Sequence, residues 1–373
     1  MCTPRSGSER GRSSRPPVRT LLAAIGRRCG WCLSGRCSCR WCCNVGLEEV
    51  LRVGDEHVTA PRVVAVVLNW NGLEDTTACL TSLAEVDYPS LEVVVVDNGS
   101  TDGSPAILRR RFPEVILLET RENLGYAGGN NVGIRYALER GAEYVLLLNN
   151  DTEVAPDFLR RMVEVAEADP QVGGVGPMIY YYDRPDVIWS AGGAIDWRRG
   201  RTRMVGLNEP EQGQFGAEPR EVDFVTGCAM LIRREVLERV GLLDERFFLY
   251  YEEVEWCVRV RRAGYRILHV PRARIWHKIS PCSQADSPLV HYYMTRNRLL
   301  FLRLVGAGAT AWFHTLAEDL RILLAWHLRP RWRYKRVQRR AMVRALLDAW
   351  RGRWGMRAGL GALSVKKVEE GIR

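Results

Sequence analysis

Carboxylates follow two short apolar runs at points where the chain turns polar. Asp97 ends Leu91–Asp97 and could accept a hydrogen bond from a nucleobase N–H, or could cap the turn that Asn-Gly and Ser-Thr-Asp favour. Asp151 follows Tyr144–Asn149 and could hold a divalent cation, which takes one or two carboxylates with substrate phosphate oxygens and water. The alternative for Asp151 is the N-cap region of the helix that begins near Pro156.

A second acidic group lies late in the chain, directly after the aromatic run Phe247–Tyr251. Its three carboxylates are those of Glu252, Glu253 and Glu255. In a first helical turn they would complement the helix dipole, whereas a carboxylate in a partly apolar cleft acquires a pKa suited to general-base work. His277 could be a metal ligand or a structural histidine.

These side chains must be positioned by alternating strands and helices. We predict strands over residues 62–69, 91–97, 115–119, 144–149 and 172–180. Helices are predicted over residues 74–86, 104–112, 127–140 and 156–168. This order predicts an α/β fold with a doubly wound, mainly parallel sheet, in which ligands bind at the carboxyl ends of the strands. The long polar stretch from Tyr181 to Glu221 is expected to be a functional or mobile loop on the acceptor side.

Charge and motifs exclude several classes of protein. The net charge of the 373 residues is +10, but residues 44–300 carry −9, so a nucleic-acid partner is disfavoured. Neither the dinucleotide-binding glycine motif nor the P-loop motif occurs, which disfavours a nicotinamide enzyme and a P-loop nucleotidase. No uncharged apolar run reaches the ~18 residues of a membrane-spanning helix.

The two ends of the chain are basic and differ from its centre. Residues 1–57 are rich in Arg and Cys and are expected to be disordered or mis-annotated sequence, although Cys29-x2-Cys32 and Cys39-x2-Cys42 could be zinc-ligand pairs. In residues 301–373, Trp residues are interleaved with Arg and Lys. Leucines and other apolar residues recur there at helical spacing. This tail fits amphipathic helices on an anionic membrane surface, or a helical pair that packs on residues 58–300 with a solvated basic face.

Six ordered blocks within residues 61–300 resemble family 2 glycosyltransferases with the GT-A fold, in particular the bacterial rhamnosyltransferase-like branch. The blocks span residues 67–72, 96–104, 123–133, 148–153, 226–233 and 251–255. The resemblance implies an inverting transfer of a sugar, with L-rhamnose from dTDP-rhamnose as the best guess, to a glycan or lipid-linked acceptor in cell-surface polysaccharide synthesis.

The resemblance also implies roles for particular residues. Glu253 would be the general base at a position where the family usually has Asp, and Glu252 and Glu255 remain candidates. Asp151 would hold Mg²⁺ or Mn²⁺ on the donor diphosphate, and His277 is kept as a candidate metal ligand on its residue type alone. The nucleotide-sugar site would comprise Asn69, Asn71, Asp97, Asn98, Asn123, Gly128, Asn130 and Asn150. The acceptor pocket would include Thr226, Gly227 and Cys228.

Other functions are weighed against this one. A sugar-nucleotidyltransferase would need a glycine-rich, Arg-bearing loop after the first strand, where this chain has Asn69-Trp-Asn-Gly72. A catalytically inactive GT-A protein that binds carbohydrate or acts as a scaffold remains the alternative, although it would be expected to lack Asp151 or the Glu cluster. With the active enzyme we expect a cytoplasmic protein, held peripherally at the inner face of the cell membrane by its basic tail.

Overall fold

A ten-stranded sheet forms the centre of the molecule. The computed structural model describes residues 60–279 and 287–357, so the cysteine pairs and the boundary predicted at residue 57 lie outside the described residues. The strands are β1 (Val63–Asn69), β2 (Leu91–Asp97), β3 (Ile116–Glu119), β4 (Tyr144–Asn149), β5 (Thr152–Val154), β6 (Val172–Tyr181), β7 (Ile188–Ser190), β8 (Gly193–Asp196), β9 (Arg201–Met204), β10 (Arg220–Glu221), β11 (Ala229–Arg233) and β12 (Arg266–His277).

The strand order places the predicted site residues at one edge of the sheet. The main path runs β10-β12-β6-β11-β4-β1-β2-β3, and β1, β2, β3 and β4 pair in parallel. Because β1 pairs with both β2 and β4, Asn69 lies opposite Asp97, and Leu68 lies opposite Asn149. β11 runs antiparallel to β4 and β6. The predicted mainly parallel sheet is therefore confirmed, with β11 as an antiparallel insertion.

Helices cover the sheet and extend beyond it. They are α1 (Leu73–Ala84), α2 (Ser104–Arg111), α3 (Gly125–Glu139), α4 (Phe158–Glu167), α5 (Arg234–Val240), α6 (Glu252–Arg262), α7 (Pro288–Leu304), α8 (Ala309–Leu328) and α9 (Arg336–Trp350), with a 3₁₀ helix over Pro330–Lys335. The buried valines and leucines of β1, β2 and β4 pack against these helices on both faces of the sheet. Burial on both faces explains why these strands are continuous apolar runs rather than alternating patterns.

The stretch from Tyr181 to Glu221 differs from the expected loop, because it contains four short strands. β7 pairs with β6, β10 pairs with β12, and β8 pairs with β9 as a two-stranded hairpin. The hairpin is tied to the C-terminal helices, since Arg298 Nε donates to Gly200 O at 2.8 Å. Its strands are short and polar, so their periodicity was too weak to predict them.

Helices α7, α8 and α9 follow the last strand. α7 packs against α9, and Tyr292 OH donates to the Asp348 carboxylate at 2.8 Å. The helical spacing predicted from the leucines of the tail is therefore present in α8 and α9. Within residues 60–279 and 287–357, none of the helices combines the length and the apolar character that crossing a membrane requires.

Candidate active site

Asn69 organises the polar edge of the sheet at the end of β1. Its Nδ2 donates to Asp97 Oδ1 at 2.7 Å and to Ser104 Oγ at 2.9 Å, while its Oδ1 accepts from Thr76 Oγ1 at 2.8 Å. Asn150 Nδ2 donates to the same threonine hydroxyl at 2.9 Å. Asn69, Thr76, Asp97 and Ser104 are buried, so a connected network joins the ends of β1, β2 and β4.

Asp97 also caps the turn after β2. Its Oδ2 accepts from Ser100 N at 2.9 Å, and the side chain is only 2% exposed. The structure therefore contains the turn cap that was one of the two interpretations of this residue. The nucleobase contact stays a prediction. Asn71 supports the same turn, because its Oδ1 accepts from Thr101 N at 2.7 Å.

The turn after β3 is built around Asn98. Its Nδ2 donates to Asn123 Oδ1 and Gly125 O, both at 3.1 Å, and its Oδ1 accepts from Leu124 N at 2.9 Å. These bonds fix the start of α3. Two further predicted residues lie in that helix and are buried: a Cβ at Gly128 would meet Leu124 Cβ at 2.8 Å, and Asn130 Nδ2 donates to Tyr126 O at 2.9 Å. Contacts within the first turns of α3 therefore explain why a glycine and an asparagine occupy these two positions.

Asp151 and His277 come together from distant parts of the sequence. His277 Nε2 lies 3.1 Å from Asp151 Oδ1, and the two residues are 6% and 7% exposed respectively. The antiparallel pairing of β12 with β5 creates this contact, because His277 lies opposite Thr152. Trp189 packs edge-on against the imidazole at 4.6 Å between ring centroids. Burial lowers the pKa of His277, whereas Cys228 and Asp151 raise it, and the result is a pKa of about 10.

The predicted acceptor triplet lies between this pair and the rest of the site. Cys228 is buried beside His277, and its carbonyl accepts from Asn149 N at 2.9 Å. Thr226 Oγ1 accepts from Cys228 N at 3.1 Å, which holds the turn that contains Gly227. The hydroxyl of Tyr126 donates to Gly227 O.

Tyr126 connects the two halves of the site. Burial raises the pKa of its hydroxyl well above the usual value, and the nearby charges of Glu252, Glu253 and Asp151 raise it further. The carboxylates of Glu252, Glu253 and Asp151 therefore all lie within electrostatic range of a single phenol. The structure thus brings together residues from α3, β4, β12 and α6.

The three glutamates of α6 differ in their surroundings. Among the described residues, Glu252 Oε2 and Glu253 Oε2 are buried without a hydrogen-bond partner. Burial raises the pKa of Glu253 to about 7, although backbone N–H groups at the helix start lower it. Burial and the charge of Glu253 raise the pKa of Glu252 well above its ordinary value. Glu252 is the more deeply buried of the two.

Glu255 is engaged elsewhere. Its two carboxylate oxygens accept from Arg259 Nε at 3.0 and 2.9 Å. Residues two apart in a helix point to different sides, so Glu253 and Glu255 do not share a face of α6. This ion pair favours Glu253 and Glu252 over Glu255 as the general base.

Sequence reasoning did not single out Tyr126 or Lys278. Lys278 N donates to Asp151 O at 2.8 Å, and its ammonium group pairs with Glu153 at 2.9 Å. The sequence signal for Lys278 was its position as a cationic residue directly after His277, at the end of the last strand. For Tyr126 the signal was its place within the glycine-rich start of a helix.

The donor set of Asp151 and His277 fits a divalent cation, which would displace the proton that the imidazole, with its pKa of about 10, carries at neutral pH. Two ligand atoms 3.1 Å apart match the spacing of neighbouring ligands at ~2.1 Å from one ion. The described residues contain no cluster of three or more His, Cys, Asp or Glu side chains suited to a metal. The pair would therefore leave further coordination positions to phosphate oxygens and water, as is usual for Mg²⁺.

Comparison with known proteins places this arrangement in a family. Residues 64–241 match the family model described as glycosyl transferase family 2. The chain carries a family 2 glycosyltransferase domain. It is 28% identical to an N-acetylglucosaminyl-diphospho-decaprenol L-rhamnosyltransferase of Mycobacterium tuberculosis, over 70% of this chain and 91% of that protein. It is 27% identical to a dTDP-rhamnosyl transferase of Shigella flexneri, over 65% and 80% respectively.

A solved structure supports the fold of this glycosyltransferase. A mannosyltransferase from Pyrobaculum calidifontis, determined in complex with GDP-mannose and Mn²⁺, superposes with a TM-score of 0.51 at 20% identity, covering 79% of this chain and 88% of the other. The predicted GT-A fold and the resemblance to the rhamnosyltransferase-like branch are both confirmed.

Proposed function

We propose that this glycosyltransferase inverts the anomeric centre as it moves a sugar from a nucleotide diphosphate to an acceptor hydroxyl. The observation that carries the proposal is the carboxylate pair at the start of α6, with oxygens that lack partners in the described residues. A base with a pKa near 7 is half ionised at neutral pH, which suits proton transfer.

The reaction is a single displacement. The acceptor oxygen bonds to the anomeric carbon, its proton passes to Glu253, and the bond from that carbon to the diphosphate oxygen breaks. A cation held by Asp151 and His277 would offset the charge on the diphosphate. We propose Mg²⁺ or Mn²⁺ in this role, supported by the Mn²⁺ of the Pyrobaculum enzyme. The backbone N–H of Lys278 holds the Asp151 carbonyl at the same edge, while its ammonium group is paired with Glu153.

We propose dTDP-L-rhamnose as the donor and a lipid-linked glycan as the acceptor. Support comes from the two relatives, one of which is named for dTDP-rhamnose and the other for a decaprenol diphosphate acceptor. Asp97 and Asn98 would bind the nucleotide at the end of β2, and Asn69, whose amide is fully engaged within the protein, would hold Asp97 in place. Thr226, Gly227 and Cys228 would lie beneath the acceptor.

We further propose that α8 lies on the cytoplasmic face of the membrane. Five apolar side chains at helical spacing on α8 are between 48% and 70% exposed, namely Phe313, Leu316, Leu320, Leu324 and Leu328. Arg321 and Arg329 are exposed beside them. An exposed apolar stripe flanked by arginines is typical of a helix that lies in the interface of an anionic membrane.

The donor proposal is tested by thermal stabilisation of the full chain with dTDP, UDP and GDP, each with and without Mn²⁺. We expect a metal-dependent shift with dTDP that is lost in Asp151→Ala. Transfer is then measured with dTDP-rhamnose and N-acetylglucosaminyl-diphospho-polyprenol. Binding of a nucleotide without transfer from any donor would favour the inactive scaffold.

The membrane proposal is tested by sedimentation with vesicles of anionic or neutral phospholipid. The double variant Leu320→Gln/Leu324→Gln should lose most of its binding to anionic vesicles. Leu207→Gln, which also replaces an exposed leucine, is the matched control and should bind like the wild type. Equal binding of all three proteins would contradict the role of α8.

A further inference from the structure

The segment that precedes the carboxylate pair has an unusual backbone. Phe248, Tyr250 and Tyr251 have φ values of +66°, +70° and +76°. For residues other than glycine this left-handed region costs on the order of 1 kcal/mol per residue. Tyr251 is the N-cap of α6, so the conformation of this segment sets where Glu252 and Glu253 point.

One side chain holds most of the carbonyls of this segment. Asn297 Nδ2 lies 2.8 Å from Phe247 O, 2.7 Å from Leu249 O and 2.9 Å from Tyr250 O. Asn297 is completely buried. A single amide therefore fixes three carbonyls whose arrangement no regular hydrogen-bond pattern would maintain.

Arg296 orients that amide. Its Nε donates to Asn297 Oδ1 at 3.0 Å, which points the NH₂ group at the carbonyls. Its Nη2 also donates to Phe247 O at 3.1 Å. The guanidinium is 1% exposed and lies over the ring of Tyr293, at 4.8 Å from the centroid. Backbone strain of this kind persists only where the surroundings over-determine it, and Arg296 and Asn297 supply that determination.

The remaining carbonyl is held from the opposite side. Phe248 O accepts from Tyr126 N at 2.7 Å, at the start of α3. Gly125 permits this approach, since a Cβ there would meet Phe248 O at 2.4 Å. Two rings of α7 complete the support: Tyr293 stacks on Phe248 at 5.4 Å, and Phe301 lies 5.6 Å from Tyr251. Residues 293, 297 and 301 recur every four positions and so share one face of α7.

We propose that Asn297, oriented by Arg296, is a positioning residue for the catalytic carboxylates. The inference rests on the proposed transfer reaction, in which Glu253 accepts the acceptor proton. Asn297 does not touch substrate. It sets the geometry of the base through the backbone of residues 247–251.

The test compares two buried asparagines. Asn297→Leu removes the amide that holds residues 247–250. Asn131→Leu is the control, because Asn131 is equally buried and its Nδ2 donates to Leu243 O and Glu245 Oε1, both at 2.9 Å. We expect both variants to unfold at lower temperature. Only Asn297→Leu should lower kcat, by about 10²-fold, the loss expected when a reacting group is displaced by ~1 Å.

Two readouts separate positioning from general destabilisation. The KM for the donor should change less than about threefold in Asn297→Leu, since the donor edge at Asn69 and Asp151 is untouched. Amide hydrogen exchange of residues 247–255 should accelerate in Asn297→Leu and not in Asn131→Leu. Unchanged exchange, an unchanged kcat, or an equal loss of kcat in the control would overturn the inference. If the wild type transfers no sugar, the proposed function fails. Unchanged exchange in Asn297→Leu would still show that Asn297 does not hold residues 247–251.

Discussion

The two halves of the site are built on opposite principles. At the donor edge, Asn69 and Asp97 bond to each other and to neighbouring hydroxyl and backbone groups, so a stable polar network defines the surface. At the start of α6, two carboxylates are buried beside each other, and the backbone before them is in a costly conformation. The first half gains stability from its polar groups. The second half loses stability, as expected if one of these carboxylates is the proposed base.

The largest effect should follow from removing the base. Glu253→Gln should lower kcat by about 10²–10⁴-fold, the usual contribution of general-base catalysis. In the wild type, kcat should fall as the pH drops through about 7, because Glu253 must be ionised to accept a proton. The initial rate measured from pH 5 to pH 9 tests both expectations.

Two other glutamate-to-glutamine substitutions in the same helix serve as controls for this prediction. Glu252→Gln removes the neighbouring carboxyl group, whose pKa is raised by burial and by the charge of Glu253, and Glu255→Gln only breaks the pair with Arg259. Each should reduce kcat less than Glu253→Gln does. A larger loss of kcat in Glu255→Gln than in Glu253→Gln would show that Glu253 is not the base.

The next largest effect concerns the metal pair. His277→Gln should weaken Mn²⁺ binding about 10–100-fold while leaving the fold intact, because one of the two proposed protein ligands is lost. Titration of Mn²⁺ in the presence of dTDP, followed by calorimetry, measures the change. Trp189→Phe keeps a ring against the imidazole and should bind Mn²⁺ like the wild type. Equal Mn²⁺ affinity in His277→Gln would restrict the histidine to a structural role.

Disruption of the donor edge should act mainly on stability. Asn69→Leu removes one buried hydrogen bond from each of Asp97, Ser104 and Thr76, which should reduce the free energy of unfolding by about 2 kcal/mol. Urea denaturation at pH 7 provides the measurement. Trp70→Leu changes an exposed neighbour and should unfold at nearly the same urea concentration as the wild type. No loss in Asn69→Leu would show that the network does not stabilise the sheet edge.

The smallest effect has the opposite sign. The folded pKa of Glu253, about 7, exceeds its ordinary value of 4.5, so the folded state binds more protons between these pH values. The contribution of Glu253 to stability is complete below pH 4.5 and is lost as the pH rises through 7. Glu253→Gln should therefore be more stable than the wild type at pH 8 and no more stable at pH 4. A variant less stable at pH 8 would contradict the burial of this charge.

Local sequence predicted the donor edge well. The limits of β2 and β4 match the prediction because both strands are continuous apolar runs that end in polar residues. Parallel pairing then brings Asn69 and Asp97 together by topology alone. For the Asp151–His277 contact, the sequence indicated both residues as candidate ligands. It did not predict that they are close together, because their proximity depends on the pairing of β12 with β5.

The base segment was much less predictable. The aromatic run and the glutamates were visible, but left-handed φ values at Phe248 and Tyr250 follow from tertiary contacts rather than from local preference. The residue that holds them, Asn297, lies far along the chain within a helix whose pattern indicates only packing. The short strands between Tyr181 and Glu221 were missed because each has only two to four residues, too few for an alternating pattern to stand out, and β10 in addition has a distant partner.

The position of Asn297 in the chain also has a consequence for synthesis on the ribosome. β1 to β4, with Asn69, Asp97 and Asp151, emerge early and can assemble the donor edge before the rest of the chain is made. Asn297 leaves the exit tunnel well after Glu252 and Glu253. Until it arrives, nothing in α7 holds residues 247–251 in their left-handed conformation. The nascent protein would therefore form the Asn69–Asp97 network first, gain the Asp151–His277 pair once β12 is made, and fix the proposed base last.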